Sequence, residues 1–304
     1  MENKQYLSYN GNIIEVDDLK IGINNRAFQY GDGIFETMHA SGNKVQFFYE
    51  HMERIIRSMK ILKMEVPVRF SVDTMGLQKE ISKILNKNKL YKGARVRMSI
   101  FRQPGGFYSP SSNETEYTIQ CNSLVSDKYD FNTKGLLIDL YDEIPKPINY
   151  LSRIKLISSM FSVMAGIYKT ENELDECLVI NTKGNIIEGI SSNIFIVKEN
   201  TILTPSLREG CLAGIMRQKT IEIARKMNYS IQDEAVVQVN DLMAADEIFF
   251  TNAINGIQWV LGFKQRRYYN KVSNQLSDAL NQMCFPEQFS SSIINNDIPK
   301  YKTA

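Results

Sequence analysis

Apolar residues recur along this chain with two different periods. From His51 to Leu62, the residues Met52, Ile55, Ile56, Met59 and Leu62 fall at helical spacing and predict a helix with one apolar face. Val72 to Leu85 repeats the pattern. Ala94 to Phe101 (ARVRMSIF) alternates instead, which predicts a strand with Arg95 and Arg97 on one face. Hairpins are expected over 5–16, turning at Asn10-Gly11, and over 34–49, turning at Gly42-Asn43. Gln103 to Asn113 is rich in Gly, Pro and Ser and reads as a loop, with a strand after it from Glu116 to Cys121.

The second half opens with a strand from Gly135 to Tyr141 and a helix over 153–169. Two apolar hairpins follow within 176–214, then a helix from Ile215 to Met227. A short strand from Val236 to Val239, a helical turn to Ala244, a buried strand from Glu247 to Thr251 and a helix from Tyr268 to Met283 complete the pattern. Helices and strands mix in both halves, so the expected fold class is α/β (α+β) with two domains. The polar run 122–133 is the expected linker. It would join a smaller N-terminal α/β domain, 1–121, to a larger C-terminal domain, 134–304, whose polar tail after about 285 is expected to pack loosely.

Composition narrows the function classes. The 304 residues are 43% hydrophobic, enough for a sizeable core, and 36 basic residues nearly balance 34 acidic ones, which argues against a dedicated nucleic-acid binder. The basic segment 264–269 (KQRRYY) could touch nucleic acid or an acidic partner, but reads more readily as a solvated helix start. Two histidines, His39 and His51, rule out a multi-histidine metal site, so no metal is expected. The four cysteines are far apart with no CxxC, and no signal peptide or membrane span stands out. A cytoplasmic protein with reduced thiols is expected.

Three features point to chemistry when read together. Lys155 sits among Ile154, Leu156, Ile157, Met160 and Phe161, where desolvation would free its amine for Schiff-base chemistry. Alone, it reads more readily as a lysine snorkelling from an amphipathic helix. Glu188 closes a hairpin before Ser191 and Ser192, and could hold a proton on a ring nitrogen or simply cap a turn. The turn 210–214 opens a helix at Ile215-Met216, whose free N–H groups suit an anion, with Thr251, Asn252 and Ala253 as further donors. Arg54 could add a forked contact to phosphate, and Tyr30 and Phe35, flanking YGDG, could edge a cavity.

The segments RAFQYGDGIFET, EHMERI, ARVRMSIFR, Lys155, IIEGISSNIF, LTP, GIMR and ADEIFFTNA occur in this order. Together they resemble the class IV aminotransferases that depend on pyridoxal 5'-phosphate (PLP). That family includes branched-chain and D-amino acid aminotransferases and aminodeoxychorismate lyase. The likeness covers about residues 5–262. It implies a homodimer with the cofactor in a cleft between two domains, acting on an amino acid and an oxo acid or on aminodeoxychorismate. It implies Lys155 as the catalytic, cofactor-bearing lysine and Glu188 as the pyridine-nitrogen carboxylate. Arg54, Ile215, Met216, Asn252 and Ala253 would be phosphate contacts, with Ser191 and Ser192 beside the cofactor. Tyr30, Phe35, Arg95, Arg97 and Tyr108 are the expected substrate residues. Met160, GIMR and Asn252-Ala253 depart from the branched-chain pattern, and the last two look more like the lyase.

Overall fold

The computed structural model describes residues 4–286. The expected tail lies almost wholly outside them. The first sheet comprises β1 (Tyr6–Tyr9), β2 (Asn12–Glu15), β3 (Gly33–Ser41), β4 (Lys44–Val45), β5 (Gly93–Arg102) and β6 (Thr115–Ser123), in the order β2-β1-β6-β5-β3-β4. Every pairing in it is antiparallel. Alternation along β5 sends Ala94, Val96, Met98 and Ile100 into a core shared with Met52, Ile55 and Met59 of α2 (Phe48–Ile61) and with Leu77, Ile81 and Ile84. Arg95, Arg97 and Ser99 take the opposite face. The short α1 (Arg26–Tyr30) precedes β3. The helix expected over 72–85 is two, α3 (Val68–Ser71) and α4 (Thr74–Lys87), because the Asp73 side chain caps a new start by accepting from Gly76 N.

The second sheet is mixed. Its strands are β7 (Leu136–Lys146), β8 (Glu176–Asn181), β9 (Ile186–Gly189), β10 (Asn193–Lys198), β11 (Thr201–Pro205), β12 (Ser230–Ala235), β13 (Glu247–Asn252), β14 (Gly256–Phe263) and β15 (Arg266–Arg267). They run in the order β12-β11-β10-β13-β14-β7-β8-β9, with β15 beside β14. Phe195 and Phe249 from paired strands stack with their rings 5.0 Å apart, against α6 (Ile215–Lys226) and α8 (Lys271–Cys284). Two further helices, α5 (Met160–Glu171) and the short α7 (Val239–Ala244), complete the described elements. All four cysteines are buried and free. Among the described residues no helix is long and apolar enough to cross a membrane.

Several expectations need correction. Lys155 does not lie on a helix: after a single 3-10 turn at Leu151–Arg153, residues 154–158 form an irregular segment with one bridge, Leu156 to Ile34. This segment pairs with the start of β3, where Phe35 N donates to Lys155 O (2.9 Å) and Ile157 N donates to Gly33 O (3.0 Å). Ser159 Oγ donates back to the Leu156 and Ile157 carbonyls, and α5 starts only at Met160. Gly31, at φ +64°, lets the chain turn where a Cβ would come within 2.8 Å of Ser158 Cβ, so the two segments touch. The short strand expected at Val236–Val239 is β12, ending at Ala235; Val237 makes only a bridge to Ile186. The polar run 122–133 carries the buried Tyr129, whose backbone exchanges hydrogen bonds with the Asn281 side chain on α8. The basic segment 264–269 forms the β14–β15 turn rather than a helix start, with Arg266 donating to Ala245 O.

Candidate active site

A cleft of about 470 Å³ opens between the arginine-bearing face of the first sheet and the ends of β9 and β13. Its walls bring together residues far apart in sequence: Phe35, Arg54, Arg95, Arg97, Lys155, Glu188, Ser191, Ser192, Ile215, Met216, Asn252 and Ala253. Tyr30 and Tyr108 are not among them. Their rings lie 5.7 Å apart in a neighbouring pocket of about 410 Å³ that shares Leu151, Leu156 and Ser158 with the cleft. Tyr108 is 92% exposed on a loop whose Gly105, Gly106 and Phe107 carbonyls accept from Arg26.

Lys155 enters the cleft beside the Phe35 ring, with Nζ 4.4 Å from the ring centroid. Burial pushes its amine down to about 8. Arg54 and Arg97 press the same way, against the pull of Glu36 and Glu188. Such an amine is neutral in a far larger fraction near physiological pH than an ordinary lysine, although still mostly protonated there, and so a usable nucleophile and base.

Glu188 stands at the end of β9. Its Oε1 accepts from Lys146 Nζ (2.5 Å) and its Oε2 from Leu212 N (2.8 Å). Each oxygen keeps a further lone pair for a group in the cleft. Lys146 gave no signal in the sequence, because it sits in a polar, proline-flanked run, EIPKP, at the end of β7. Half-buried Glu176 on β8 holds the loop after Glu188 by accepting from Ile190 N and Ser192 Oγ, both at 3.2 Å.

Opposite this carboxylate, α6 begins after Gly214 with no side chain capping its N–H groups. Asn193 Nδ2 donates to Leu212 O and steadies the approach, and a Cβ on Gly214 would meet Asn193 Oδ1 at 2.0 Å. Arg217 of GIMR serves the fold, donating to Pro205 O and Asp233 O. Asn252 Oδ1 is occupied, accepting from Ile254 N and Asn255 N. Thr251 Oγ1 is different: it is buried, borders the cleft and has no hydrogen-bond partner. An uncapped helix start and an unpaired hydroxyl on one wall make an anion seat.

Arg54 is largely committed to Glu36. Nε donates to Oε2 (2.8 Å), Nη2 to Oε1 (2.6 Å), and Nη1 to Ala213 O (2.9 Å) just before α6. His51 Nδ1 lies 3.2 Å from Glu36 Oε1 without hydrogen-bond geometry. Burial alone would raise the Glu36 carboxyl, but Arg54 and His51 overcome it and hold the group well below the usual range. Arg54 thus ties β3 to the entry of α6 and retains two N–H groups.

Comparison with known proteins decides the family. Residues 33–262 match the family described as amino-transferase class IV. The chain belongs to this family. It is 26% identical over 282 residues to a Methanocaldococcus jannaschii protein provisionally assigned as a branched-chain-amino-acid aminotransferase, covering 90% of this chain and 93% of that one. It is 27% identical over 244 residues to the aminodeoxychorismate lyase of Vibrio harveyi, covering 80% and 87%. Its fold matches the branched-chain aminotransferase of Thermoproteus uzoniensis solved with norvaline, at TM-score 0.83 and 21% identity over 94% of this chain and 97% of that one. It also matches the Thermobaculum terrenum branched-chain aminotransferase solved in its PLP form, at TM-score 0.81 and 20% identity over 95% and 97%. The α/β fold of this class IV chain is therefore that of the branched-chain enzymes.

Proposed function

We propose that this protein is a PLP-dependent aminotransferase that moves an amino group between an amino acid and a 2-oxo acid. Lys155 carries the reading: an amine depressed to about 8 faces a cleft with a paired carboxylate on one wall and an anion seat on another.

The residues present fit the cofactor. The orphaned Thr251 hydroxyl, the start of α6 at Ile215 and Met216, and the Asn252-Ala253 turn would receive its phosphate, with Arg54 behind them. Glu188 would meet its ring nitrogen, and Ser191 and Ser192 border the same space. When bound, PLP supplies an electron sink for the bond broken at the substrate's Cα.

The chain's own side chains do the rest. Lys155 in its neutral form holds or moves the proton at Cα. Glu188, flanked by the Lys146 cation and the Leu212 N–H, keeps a negative charge fixed in the cleft. Phe35 and the β5 arginines flank Lys155 and bound the space for the substrate. Exposed Met160, Val163 and Ile167 on α5, with exposed Tyr150 next to the cleft residue Leu151, support a homodimer, which light scattering would test.

Similarity to the Vibrio harveyi protein supports a second reading, lyase action on aminodeoxychorismate, which calls on the same lysine and carboxylate. Purified protein supplied with PLP is to be assayed with panels of amino donors and oxo acids, and separately with aminodeoxychorismate. Amino transfer to an oxo acid supports the first reading. Pyruvate release without an acceptor supports the second, and turnover in neither assay overturns both.

A further inference from the structure

The turn between β13 and β14 forms one wall of the cleft, with Asn252, Ala253, Ile254 and Asn255 at its surface. From inside, the Asn252 side chain holds the turn by accepting from Ile254 N and Asn255 N. From behind, the turn meets His39 of β3, a buried residue that is not part of the cleft wall. His39 Nδ1 lies 3.2 Å from Ile254 O, and Nε2 lies 3.2 Å from Asp127 O. One ring thus joins three segments far apart in sequence: a strand of the first sheet, the run 122–133, and the turn that would receive phosphate.

The two partners decide what the ring can do. Both are carbonyl oxygens, which only accept. A neutral imidazole donates to one of them and turns a lone pair toward the other, whereas an imidazolium donates to both. The ring is therefore a better clamp when charged. Burial opposes the charge and holds the ring below its ordinary value, while the Ile254 and Asp127 carbonyls and the Asp127 and Asp130 charges favour it. Arg95, its register partner on β5, opposes it. On the remaining side stand the Tyr129 ring, edge-on at 4.8 Å, and the Phe285 ring at 5.9 Å. Burial raises Tyr129 and neighbouring Cys284, so both stay neutral, and Lys44 of β4 acts on that thiol. A phosphate at the turn adds negative charge there and favours the imidazolium further.

We propose that His39 is a positioning residue for the cofactor's phosphate: by donating to Ile254 O and Asp127 O together, it fixes the 252–255 turn against the run 122–133. The inference rests on the proposed function and deepens it, assigning part of cofactor binding to a side chain outside the cleft. Phosphate at the turn and the proton on His39 stabilise each other.

The test compares PLP with pyridoxal, which has the same ring and aldehyde but no phosphate. Both are titrated by absorbance into the wild-type protein, His39→Phe and His39→Gln. His39→Phe should weaken PLP about tenfold, the effect of losing a hydrogen bond from a charged donor, and leave pyridoxal within about twofold. His39→Gln keeps one donor and should restore part of the loss. A merely structural role would weaken both ligands alike, because they share the rest of the cleft. The wild-type-to-Phe ratio of PLP affinities should widen as pH falls from about 8.5 to about 6, where the ring gains its proton. Lys155 is present in both proteins and cancels from that ratio. The chain has only two histidines, so the wild-type protein gives a readout of its own. With isotope-labelled histidine, the ring signal in contact with Tyr129 should titrate at higher pH when PLP is added, and not when pyridoxal is added. Unchanged PLP affinity in His39→Phe, an equal loss for both ligands, or a His39 midpoint indifferent to PLP overturns the inference. The last of these decides the matter even if the variants fail to fold. A wild-type protein that binds neither aldehyde overturns the cofactor reading and this inference with it, whereas the three results above overturn this inference alone.

Discussion

Replacing Lys155 by methionine should make the cofactor-free protein more stable, although it removes the residue on which activity depends. The amine falls from 10.5 in the open chain to about 8 in the fold, chiefly through burial. That drop corresponds to about 3 kcal/mol of strain against the charged form in the native state. The sign follows from proton binding. Between pH 8 and 10.5 the unfolded chain holds the proton and the folded chain has released it, so stability rises with pH across that window. Below pH 8 both states are protonated and the full cost is present. Methionine has similar length and no charge to desolvate. Lys155→Met should therefore gain up to about 3 kcal/mol at pH 7, with the advantage shrinking toward pH 10.5. Reversible urea unfolding of both proteins from pH 6.5 to 10.5, at one protein concentration, measures it. A variant that is less stable at pH 7, or a stability difference that does not change with pH, would refute the argument that the fold withholds solvent from this amine.

Other substitutions separate fold from chemistry. Arg54→Met leaves the buried Glu36 with only His51 and the Thr37 N–H beside it and should cost about 3–5 kcal/mol in urea unfolding. Because the Glu36 carboxyl is depressed, its stabilising share is present above its ordinary value of 4.5 and is lost as pH falls, and this acid loss should shrink in Arg54→Met. Thr251→Val removes a buried hydroxyl with no partner, so the cofactor-free protein should gain about 1 kcal/mol while its affinity for PLP, measured by absorbance titration, falls about tenfold. Lys146→Met deprives Glu188 of its charged partner and should lower kcat about 10- to 100-fold with little change in unfolding midpoint.

Much of the site was legible because its parts lie on regular elements or sharp turns. The period-two pattern of ARVRMSIF put Arg95 and Arg97 on one face, and β5 places both in the cleft. Glu188 and the start of α6 were marked by the punctuation around them, a strand end and a glycine. The segment around Lys155 was misread for a physical reason. Its apolar residues are as compatible with a helix as with a buried extended strand, and what decides is pairing with β3, more than 100 residues earlier. Lys146 escaped notice because it acquires its role from a tertiary partner, and Thr251, read only as one of three donors, stands out through its lack of a partner. β14 went unrecognised: GIQWVLGF is a buried run, and only its neighbours β13 and β7 establish it as a strand. Tyr30 and Tyr108 came together as a pair, but in the pocket beside the cleft.

The central claim is that Lys155 is the residue that takes the cofactor. Incubating the protein with PLP, reducing with borohydride and mapping the digested peptides by mass tests it directly. The account predicts one stoichiometric phosphopyridoxyl adduct on Lys155, absent from the same peptide in Lys155→Ala. No adduct, or an adduct on another lysine such as Lys146 while Lys155 stays unmodified, would contradict it.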